Sequence, residues 1–446
     1  MASTYLSRTL GTPTNAYKGT LSYWQKGART TASNYILACE SGNERMLFYL
    51  TQGKFQAGLR GTSSPPDIDF TISGTPRFRD VSAWYHVVLA WDSTQSTASD
   101  RMKLYVNNVQ YTWSGSGTGG VNDIPQNHVM PMNKSGLPFR IGSTISGGNY
   151  FEGVMSHIHF CDGTQYQASD FGETDSTTGE WKIKTDPSVT YGNNGFWWLK
   201  DTNAATDSSP NSNTPTIGGT LTKSEDCPSN VFATLNPLST SPVTGASGFF
   251  SNGNTVYDAP EGSPYDIACG STLGVKGGKW YWEVKWNIDG GGTSQALGLG
   301  IYEAEQPIDL FGNMRSASGY KNVIWDTRHD LYVNGSDTGT NYTASSGDIL
   351  GFALDLDAGT LKIHQNGTYY NSGNAVTSAI DVSKTYLILA SPNGGSNHST
   401  VSFNFGNGYF GTTAVSSAGT NASGNGIFEY DVPAGYTALS TKGLNL

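Results

Sequence analysis

The chain has 446 residues with a formal net charge of −10; 56 residues are glycine and only 14% are charged. At roughly 150 residues per average domain, and about 200–250 per large β domain, this length predicts two β domains. The acidic balance and the lack of Lys/Arg runs exclude the basic footprint of a nucleic-acid-binding protein, and 12% aromatic residues exclude a disordered chain.

The first thirty residues contain no apolar stretch of signal-peptide length, and no run of about 18 apolar residues occurs anywhere. We therefore expect a soluble protein made in a cytosol. The cysteines are far apart and form no Cys-x-x-Cys pair, so the sequence predicts reduced, mostly buried thiols. They are Cys39, Cys161, Cys227 and Cys269.

Apolar residues alternate with polar ones in short segments that Gly, Asn, Asp, Ser and Pro clusters interrupt every 8–12 residues or so. Examples are LFYLTQG from Leu47, WYHVVLAWD from Trp84, KLYVNN from Lys103, WYWEVKW from Trp280, ILGFALDLD from Ile349 and VSFNFG from Val401. This pattern predicts an all-β fold of antiparallel sandwiches. Heptads are absent, so we expect no coiled coil.

A polar segment rich in Pro, Ser, Thr and Asn, residues 201–230, predicts a linker between two domains, 1–200 and 231–410, with a C-terminal extension at 411–446. Both halves contain an apolar strand that ends in Asp, turns, and returns as a strand closed by Asn-Asn or Asn-Gly. These units are HVVLAWD to KLYVNN and ILGFALDLD to KIHQNG. Asn and Gly tolerate the positive φ of tight hairpins, so each unit is expected to continue into a further hairpin.

Several motifs resemble known families. SYWQKG from Ser22, AWYHVVLAWD, KLYVNN, FRIGS from Phe139 and FEGVMSHIHFCDG from Phe151 resemble the concanavalin A-like (laminin G-like) jelly roll. GKWYWEVKW from Gly278, ALGLGIY from Ala296, GDILGFALDLDAGTLKIHQNG from Gly347 and VSFNFG resemble the SPRY family. The resemblances cover about residues 1–200 and 228–410 and imply two consecutive sandwiches.

Other segments resemble virion proteins of tailed bacteriophages, especially marine phages. They are YLSRTLGTPTN, FGETDSTTGEW, YGNNGFWWL, DCPSNVFATLNPL and VPAGYTALSTKGLNL. This resemblance implies a protein of the virion surface, of tail-fibre, capsid-decoration or receptor-binding type. Its implied partners are other virion proteins and a host glycan or protein, and the fibre analogy implies a homo-oligomer, such as a trimer. We expect neither nucleic acid nor a membrane as partner.

No constellation predicts catalysis. A sandwich glycosidase needs two facing carboxylates, and the nearest approach, Glu173, Asp175 and Glu180, has the wrong spacing and lies in a Gly/Ser/Thr-rich loop. His157 and His159 share a face of a predicted strand but lack a third metal ligand. We expect no cofactor, with calcium as the alternative. Its oxygen ligands would come from loop-end residues such as Asp92, Asn107, Asp162 and Asp175.

Glycan recognition needs aromatic faces with a few polar partners. The candidates are aromatic or charged residues beside glycines or charges, where loops would present them: Trp113, Tyr150, Trp325, Arg328, His329 and Tyr332. Ordinary loop packing is the alternative for each. Tryptophans within alternating segments, such as Trp282, are assigned to the core.

Three hypotheses of function follow. The first is attachment to a host surface through loop-borne recognition, without enzymatic activity. The second is a structural capsid-decorating or fibre-building subunit with no ligand of its own. The third is a polysaccharide-degrading enzyme, which the missing carboxylate pair disfavours.

Overall fold

The computed structural model describes residues 3–27, 33–42, 44–51, 53–60, 68–72, 78, 80–115, 121–200, 205–240, 249–259, 268–289, 298–309, 314–317, 319–326, 330–391 and 398–445. In these ranges no helix reaches seven residues. The chain divides into a first unit, Met1–Lys223, and a second unit, Ser224–Leu446. None of the described helices is long and apolar enough to cross a membrane.

The first unit contains an eight-stranded sheet, a six-stranded sheet and a small hairpin. Its strands are β1 (Tyr5–Thr9), β2 (Lys18–Lys26), β3 (Asn34–Ser41), β4 (Glu44–Thr51), β5 (Lys54–Arg60), β6 (Ile68–Ile72), β7 (Tyr85–Asp92), β8 (Met102–Val106), β9 (Val109–Tyr111), β10 (Trp113–Gly115), β11 (Pro138–Ile141), β12 (Val154–Asp162), β13 (Gly172–Thr174), β14 (Trp181–Ile183), β15 (Phe196–Trp198) and β16 (Thr216–Gly218). The antiparallel sheets run β10-β6-β5-β4-β3-β11-β1-β16 and β15-β12-β2-β7-β8-β9, and the hairpin is β13-β14. Short 3-10 turns occupy Ala98–Asp100, Val121–Asp123, Pro131–Asn133 and Ala168–Asp170.

Alternation along each strand builds the core between these two sheets. On β4, Met46, Phe48 and Leu50 are at most 2% exposed and join the core, whereas Leu47 and Tyr49 point to the other face and are half-buried. A strand places successive side chains on opposite faces, so this period of two fixes which half of each strand is buried.

The outer face of the six-stranded sheet is covered by the chain between β12 and β15. Phe171, Tyr191 and Trp197 form a second cluster there with Val88 and Cys161, which point outward from the sheet. Both faces of the central strands of this sheet are therefore buried, which explains why β7 is mostly apolar.

The second unit is again built from two large sheets. Its strands are β17 (Leu235–Thr240), β18 (Phe249–Ser251), β19 (Val256–Ala259), β20 (Cys269–Val275), β21 (Lys279–Asp289), β22 (Gly298–Glu303), β23 (Asn322–Asp326), β24 (Asp330–Val333), β25 (Ser336–Asn341), β26 (Ile349–Asp355), β27 (Thr360–Gln365), β28 (Thr368–Tyr369), β29 (Tyr386–Ser391), β30 (His398–Asn404), β31 (Tyr409–Phe410), β32 (Thr413–Ala414) and β33 (Thr437–Ala438). The sheets run β17-β20-β29-β22-β23-β24-β25 and β18-β19-β30-β21-β26-β27-β28, and β31 pairs with β32. Two 3-10 turns lie at Asn371–Gly373 and Gly443–Asn445.

Stacked aromatic rings fill the core of the second unit. The rings of Trp282 and Phe352 are 5.2 Å apart and nearly parallel, and Trp286 meets Trp325 edge-on. The C-terminal residues belong to this unit, because β33 pairs in parallel with β21 and the side chain of Phe428 is fully buried in the same core. The predicted fold class, two consecutive antiparallel sandwiches without a coiled coil, is confirmed.

The two units use the same turn. Asn107 and Asn366 follow β8 and β27 with φ of 46° and 48°. Each exchanges two hydrogen bonds with the backbone of a preceding strand: Asn107 with His86, and Asn366 with Ile349. In both cases the chain then forms the further hairpin that the sequence predicts, β8-β9 and β27-β28. In each unit the asparagine side chain thus stabilises its own left-handed backbone conformation and connects the hairpin to the preceding strand.

Candidate functional site

Asp162 is buried at the end of β12 and organises one end of the first unit. Its carboxylate accepts hydrogen bonds from the backbone N–H groups of Thr14 (2.6 Å), Asn15 (3.2 Å) and Asn194 (3.1 Å). The side-chain amide of Asn133 donates another at 2.6 Å. Four donors therefore surround this carboxylate, which joins loops from distant parts of the chain.

Asp92 and Asn107 also have structural partners. The carboxylate of Asp92 accepts hydrogen bonds from Thr94 and Gln95 and lies 3.1 Å from the Lys18 ammonium. Burial alone would raise the pKa of Asp92, but these contacts hold it below its usual value. Asn107 hydrogen-bonds His86 near the start of β7, whereas Asp92 is the last residue of that strand. Asp92 and Asn107 therefore do not converge on one calcium site. Among the described residues, no group of three or more His, Cys, Asp or Glu side chains is arranged to hold a metal. Calcium stays a prediction.

His86 lies under the β13-β14 hairpin and is fully buried. The Trp181 indole N–H donates to its Nδ1 at 3.0 Å, so Nε2 carries the proton and donates to the Ser22 hydroxyl at 2.9 Å. Burial lowers the pKa of His86 to about 3. This imidazole is a neutral structural group at physiological pH.

The histidines of β12 lie beside it. A β-bulge occurs at His157, whose φ is 48°, and both His157 and His159 contact the Trp197 ring. The Nδ1 of His159 hydrogen-bonds the Tyr191 hydroxyl at 2.9 Å, and burial lowers its pKa well below the usual value. The two imidazoles are held by aromatic and hydroxyl partners within the described cluster.

The acidic residues singled out as the nearest approach to a catalytic pair lie on the exposed β13-β14 hairpin. Lys182 bridges Glu173 (3.3 Å) and Asp175 (3.2 Å). Hydrogen bonds from the backbone of residues 177 and 178 lower the pKa of Asp175 to about 2. Glu180 is exposed at the same turn, where its backbone carbonyl accepts from the Asp175 N–H.

Two of the aromatic glycan candidates are interior residues. Trp113 is 7% exposed and packs in the core of the first unit, and Trp325 is fully buried, with its indole N–H donating to the Tyr342 carbonyl at 3.1 Å. The expectation that loops present them is therefore corrected. Each lies in a strand, β10 or β23, whose pairing turns the ring toward the core.

The other candidates lie in different units or outside the described residues. Tyr332 is half-buried, with the Arg315 guanidinium 5.1 Å from its ring centre, and it points away from the face that buries Trp325. Tyr150 is half-buried in the loop between β11 and β12, next to the start of β3. Arg328 and His329 lie outside the described residues.

A buried polar row in the second unit was missed from the sequence. Glu283 is fully buried and accepts hydrogen bonds from the Tyr281 hydroxyl, the Asn404 amide and the backbone N–H groups of residues 429 and 430. His364 continues the row, with Nε2 at 2.7 Å from the Tyr281 hydroxyl. Burial raises the pKa of Glu283 to about 7, although these donors oppose the shift. The position of the His364 ring requires a glycine at residue 351, since a Cβ there would lie 1.8 Å from Nε2 of His364.

The outer face of the eight-stranded sheet in the first unit carries three rows of side chains in register across its strands. We call them the tyrosine row (Tyr35, Tyr49 and Gln56), the central row (Ser7, Arg140, Ala38, Leu47 and Gly58) and the arginine row (Glu40, Arg45 and Arg60). The described residues of the three rows are half-buried, except for Ala38 and Gly58 of the central row, which are buried. Leu47 is in none of the described core clusters.

Aromatic and cationic groups on this face are ordered by one another. The rings of Tyr35 and Tyr49 stack at 4.8 Å. The Arg140 guanidinium lies 3.9 Å from the centre of the Tyr5 ring and donates to the Thr144 carbonyl at 2.8 Å. The sequence signal was available, because the outward positions of β4 read Arg, Leu, Tyr instead of the short polar residues of a solvated face.

Comparison with known proteins agrees with this architecture. Residues 3–169 match the family model described as the concanavalin A-like lectin/glucanases superfamily, and residues 279–408 match the SPRY domain. The chain contains a concanavalin A-like domain and a SPRY domain. No curated protein matches the chain.

Solved structures similar to parts of the chain have low identity. The SPRY domain of human HERC1 is 18% identical, covering 38% of this chain and 96% of its own, with a TM-score of 0.30. A heptameric SAP-like pentraxin from Limulus polyphemus is 17% identical, covering 49% and 89%, with a TM-score of 0.30. The CBM40 of a Ruminococcus gnavus IT-sialidase, bound to α2,3 sialyllactose, is 17% identical, covering 31% and 71%, with a TM-score of 0.23.

Proposed function

We propose that the protein is a non-enzymatic binding protein of a tailed-phage virion surface and attaches the particle to its bacterial host. The concanavalin A-like and SPRY domains support the binding role. The resemblance of its N-terminal, central and C-terminal segments to phage virion proteins supports the virion surface and the host. Many copies on one particle would convert weak individual contacts into firm adhesion.

The observation that carries the binding role is the outer face of the eight-stranded sheet. It orders stacked tyrosines, the half-buried Leu47 and arginines in three registered rows. Elsewhere, the buried acids Asp162 and Glu283 and the buried His86 are engaged in internal hydrogen bonds that stabilise the fold. The face therefore presents aromatic, apolar and cationic side chains together on one side of the sheet.

The test is binding of the fluorescently labelled full chain to a panel of intact marine bacteria, together with a competition arm. We expect saturable binding to a subset of strains and reduced adsorption of intact phage when excess protein is present. Heat-unfolded protein of the same concentration is the control for non-specific adhesion. If the protein shows saturable binding to none of the strains, the proposal is contradicted and a capsid-decorating or fibre-building subunit is favoured.

A further inference from the structure

We propose that the Asn252-Gly253 pair of the second unit is a site of spontaneous covalent modification, at which the asparagine converts to aspartate and isoaspartate. An asparagine followed by glycine favours this reaction, because glycine has no side chain to hinder its backbone nitrogen. One Asn-Gly pair, at Asn393, lies outside the described residues. The other pairs begin at Asn194, Asn252, Asn334, Asn366, Asn407 and Asn425. The structure distinguishes these six by the contacts of each pair.

The reaction uses no co-reactant other than water. The Gly253 nitrogen attacks Cγ of Asn252, the new N–Cγ bond closes a succinimide ring, and the Cγ–Nδ2 bond breaks to release ammonia, which takes up the Gly253 proton. Water then opens the ring. Cleavage at Cγ gives aspartate, and cleavage at the original main-chain carbonyl gives isoaspartate, with no group oxidised or reduced. The side chain must therefore rotate toward an N–H group that no acceptor holds.

Asn252 meets both conditions in the turn between β18 and β19. Its side chain is exposed, and the amide makes a single described hydrogen bond, from Nδ2 to the Ser251 hydroxyl at 3.4 Å. Among the hydrogen bonds between described residues, none has the Gly253 N–H as donor. The turn is closed instead by the Thr255 hydroxyl, which donates to the Asn252 carbonyl at 2.8 Å. The pairing of β18 with β19 reaches only to Ser251 and Val256, so the strands do not restrain the pair.

The Asn366-Gly367 turn is the matched contrast, because its asparagine is also exposed and left-handed, with φ of 48° against 52° for Asn252. There the side-chain Oδ1 accepts from the Ile349 N–H at 2.9 Å, and Nδ2 donates to the Asp348 carboxylate at 2.7 Å. The Gly367 N–H donates to a ring nitrogen at 3.1 Å. These hydrogen bonds must break before the glycine nitrogen reaches Cγ.

The remaining described pairs are also held by hydrogen bonds. The N–H groups of Gly335 and Gly408 each donate to an asparagine side-chain oxygen, at 3.2 Å and 3.0 Å. Asn194 and Asn425 are at most 2% exposed, and the amide of each has several hydrogen-bond partners. Burial also keeps away the water that opens the ring. Of the six described pairs, Asn252-Gly253 is therefore the one with an exposed amide and an available N–H group.

The modification acts at the edge of a sheet. β18 is the edge strand, and β19 pairs with β30 on its other side. Isoaspartate routes the main chain through Cβ and Cγ and so adds one backbone atom to the turn, and both products add a negative charge. The longer turn weakens the pairing of Phe249–Ser251 with β19, whereas β19 keeps its pairing with β30. The second unit therefore stays folded after the modification.

The experiment incubates the full chain at mildly alkaline pH in water that carries a heavy oxygen isotope and follows each Asn-Gly pair by peptide mapping and mass spectrometry. Uptake of heavy oxygen with loss of ammonia reports the conversion, and separation of the two product peptides reports the isoaspartate fraction. The chain unfolded in guanidinium gives the unprotected rate of each pair. We expect the native fold to slow Asn252 by less than about threefold and Asn366 by more than about tenfold, since the Asn366 turn must first open.

Two variants sharpen the test. Asn252→Gln should abolish the fast conversion and leave the other rates unchanged. Asp348→Ala, which removes the acceptor of the Asn366 amide, should speed Asn366 by about threefold or more while Asn252 is unaffected; an unchanged rate at the buried Asn425 verifies that this variant is folded. Equal protection of Asn252 and Asn366, faster conversion of another described pair, or aspartate formed at residue 252 without isoaspartate would each overturn the proposal.

Discussion

Replacing Glu283 by Gln should change how the stability of the second unit depends on pH. In the native protein the carboxylate is fully buried beneath the segment that contains residues 429 and 430, whose backbone N–H groups donate to it at 2.9 Å. Burial raises its pKa from 4.5 to about 7. Glutamine has the same shape and cannot titrate, so the difference between the two proteins isolates this one group.

The sign follows from proton linkage. A carboxyl with a raised native pKa binds its proton more tightly in the folded state, so its contribution is fully present below pH 4.5 and is lost as the pH rises to about 7. A shift of about 2.5 units at roughly 1.36 kcal/mol per unit predicts a loss of about 3 kcal/mol for the native protein across this window. The Glu283→Gln variant carries a constant penalty, because its amide N–H₂ group faces hydrogen-bond donors. Relative to the native protein, the variant should therefore gain about 3 kcal/mol between pH 4.5 and 7.5.

The assay is urea unfolding of the full chain at several pH values, followed by tryptophan fluorescence, with the transition that responds to Glu283→Gln assigned to the second unit. Glu305→Gln is the matched control, since that side chain is 79% exposed and should show no pH-dependent difference above about 0.5 kcal/mol. A difference that does not vary with pH, or one of opposite sign, would refute the reasoning. It would mean that the four donors, and not burial, determine the ionisation of Glu283.

Three further predictions use the same unfolding measurement. His86 alone should account for about 3 kcal/mol of the stability that the first unit loses between pH 6.5 and pH 4, because its pKa is depressed to about 3 and its stabilisation is lost as the pH falls. A His86→Phe variant with the same pH dependence as the native protein would contradict this. Gly351→Ala should lower the free energy of unfolding by about 1–3 kcal/mol. Gly277→Ala, where the added Cβ would be 4.0 Å from its nearest neighbour, should change it little. Equal urea midpoints for the two variants would exclude the close approach of Gly351 to His364. Asp162→Asn should cost about 2–4 kcal/mol through its lost acceptors. Asp100→Asn, at a half-exposed carboxylate, should cost less than about 0.5 kcal/mol. Similar losses from both would contradict a network role for Asp162.

Much of the candidate chemistry could not be located from the sequence, because it depends on which face of a strand is covered. The segment around Trp113 reads as a Gly-flanked loop, yet its ring is buried because β10 pairs with β6. His86 and His159 lie on a face that looks solvated in the local pattern until the β13-β14 hairpin covers it. The outward residues of β4 were readable as strand positions, but their alignment with Arg140 requires the pairing of β3 with β11.

Local chemistry alone determined the strands, the Asn-containing turns and the division into two β halves. A period of two, a left-handed Asn and a polar linker each act over a few residues, so the sequence encodes them without reference to distant parts of the chain. Tertiary structure decided the rows that cross several strands, such as Asn404, Glu283, Gly351 and His364. Residues far apart in sequence become neighbours there only through register, and a shift of one residue would turn each side chain to the opposite face.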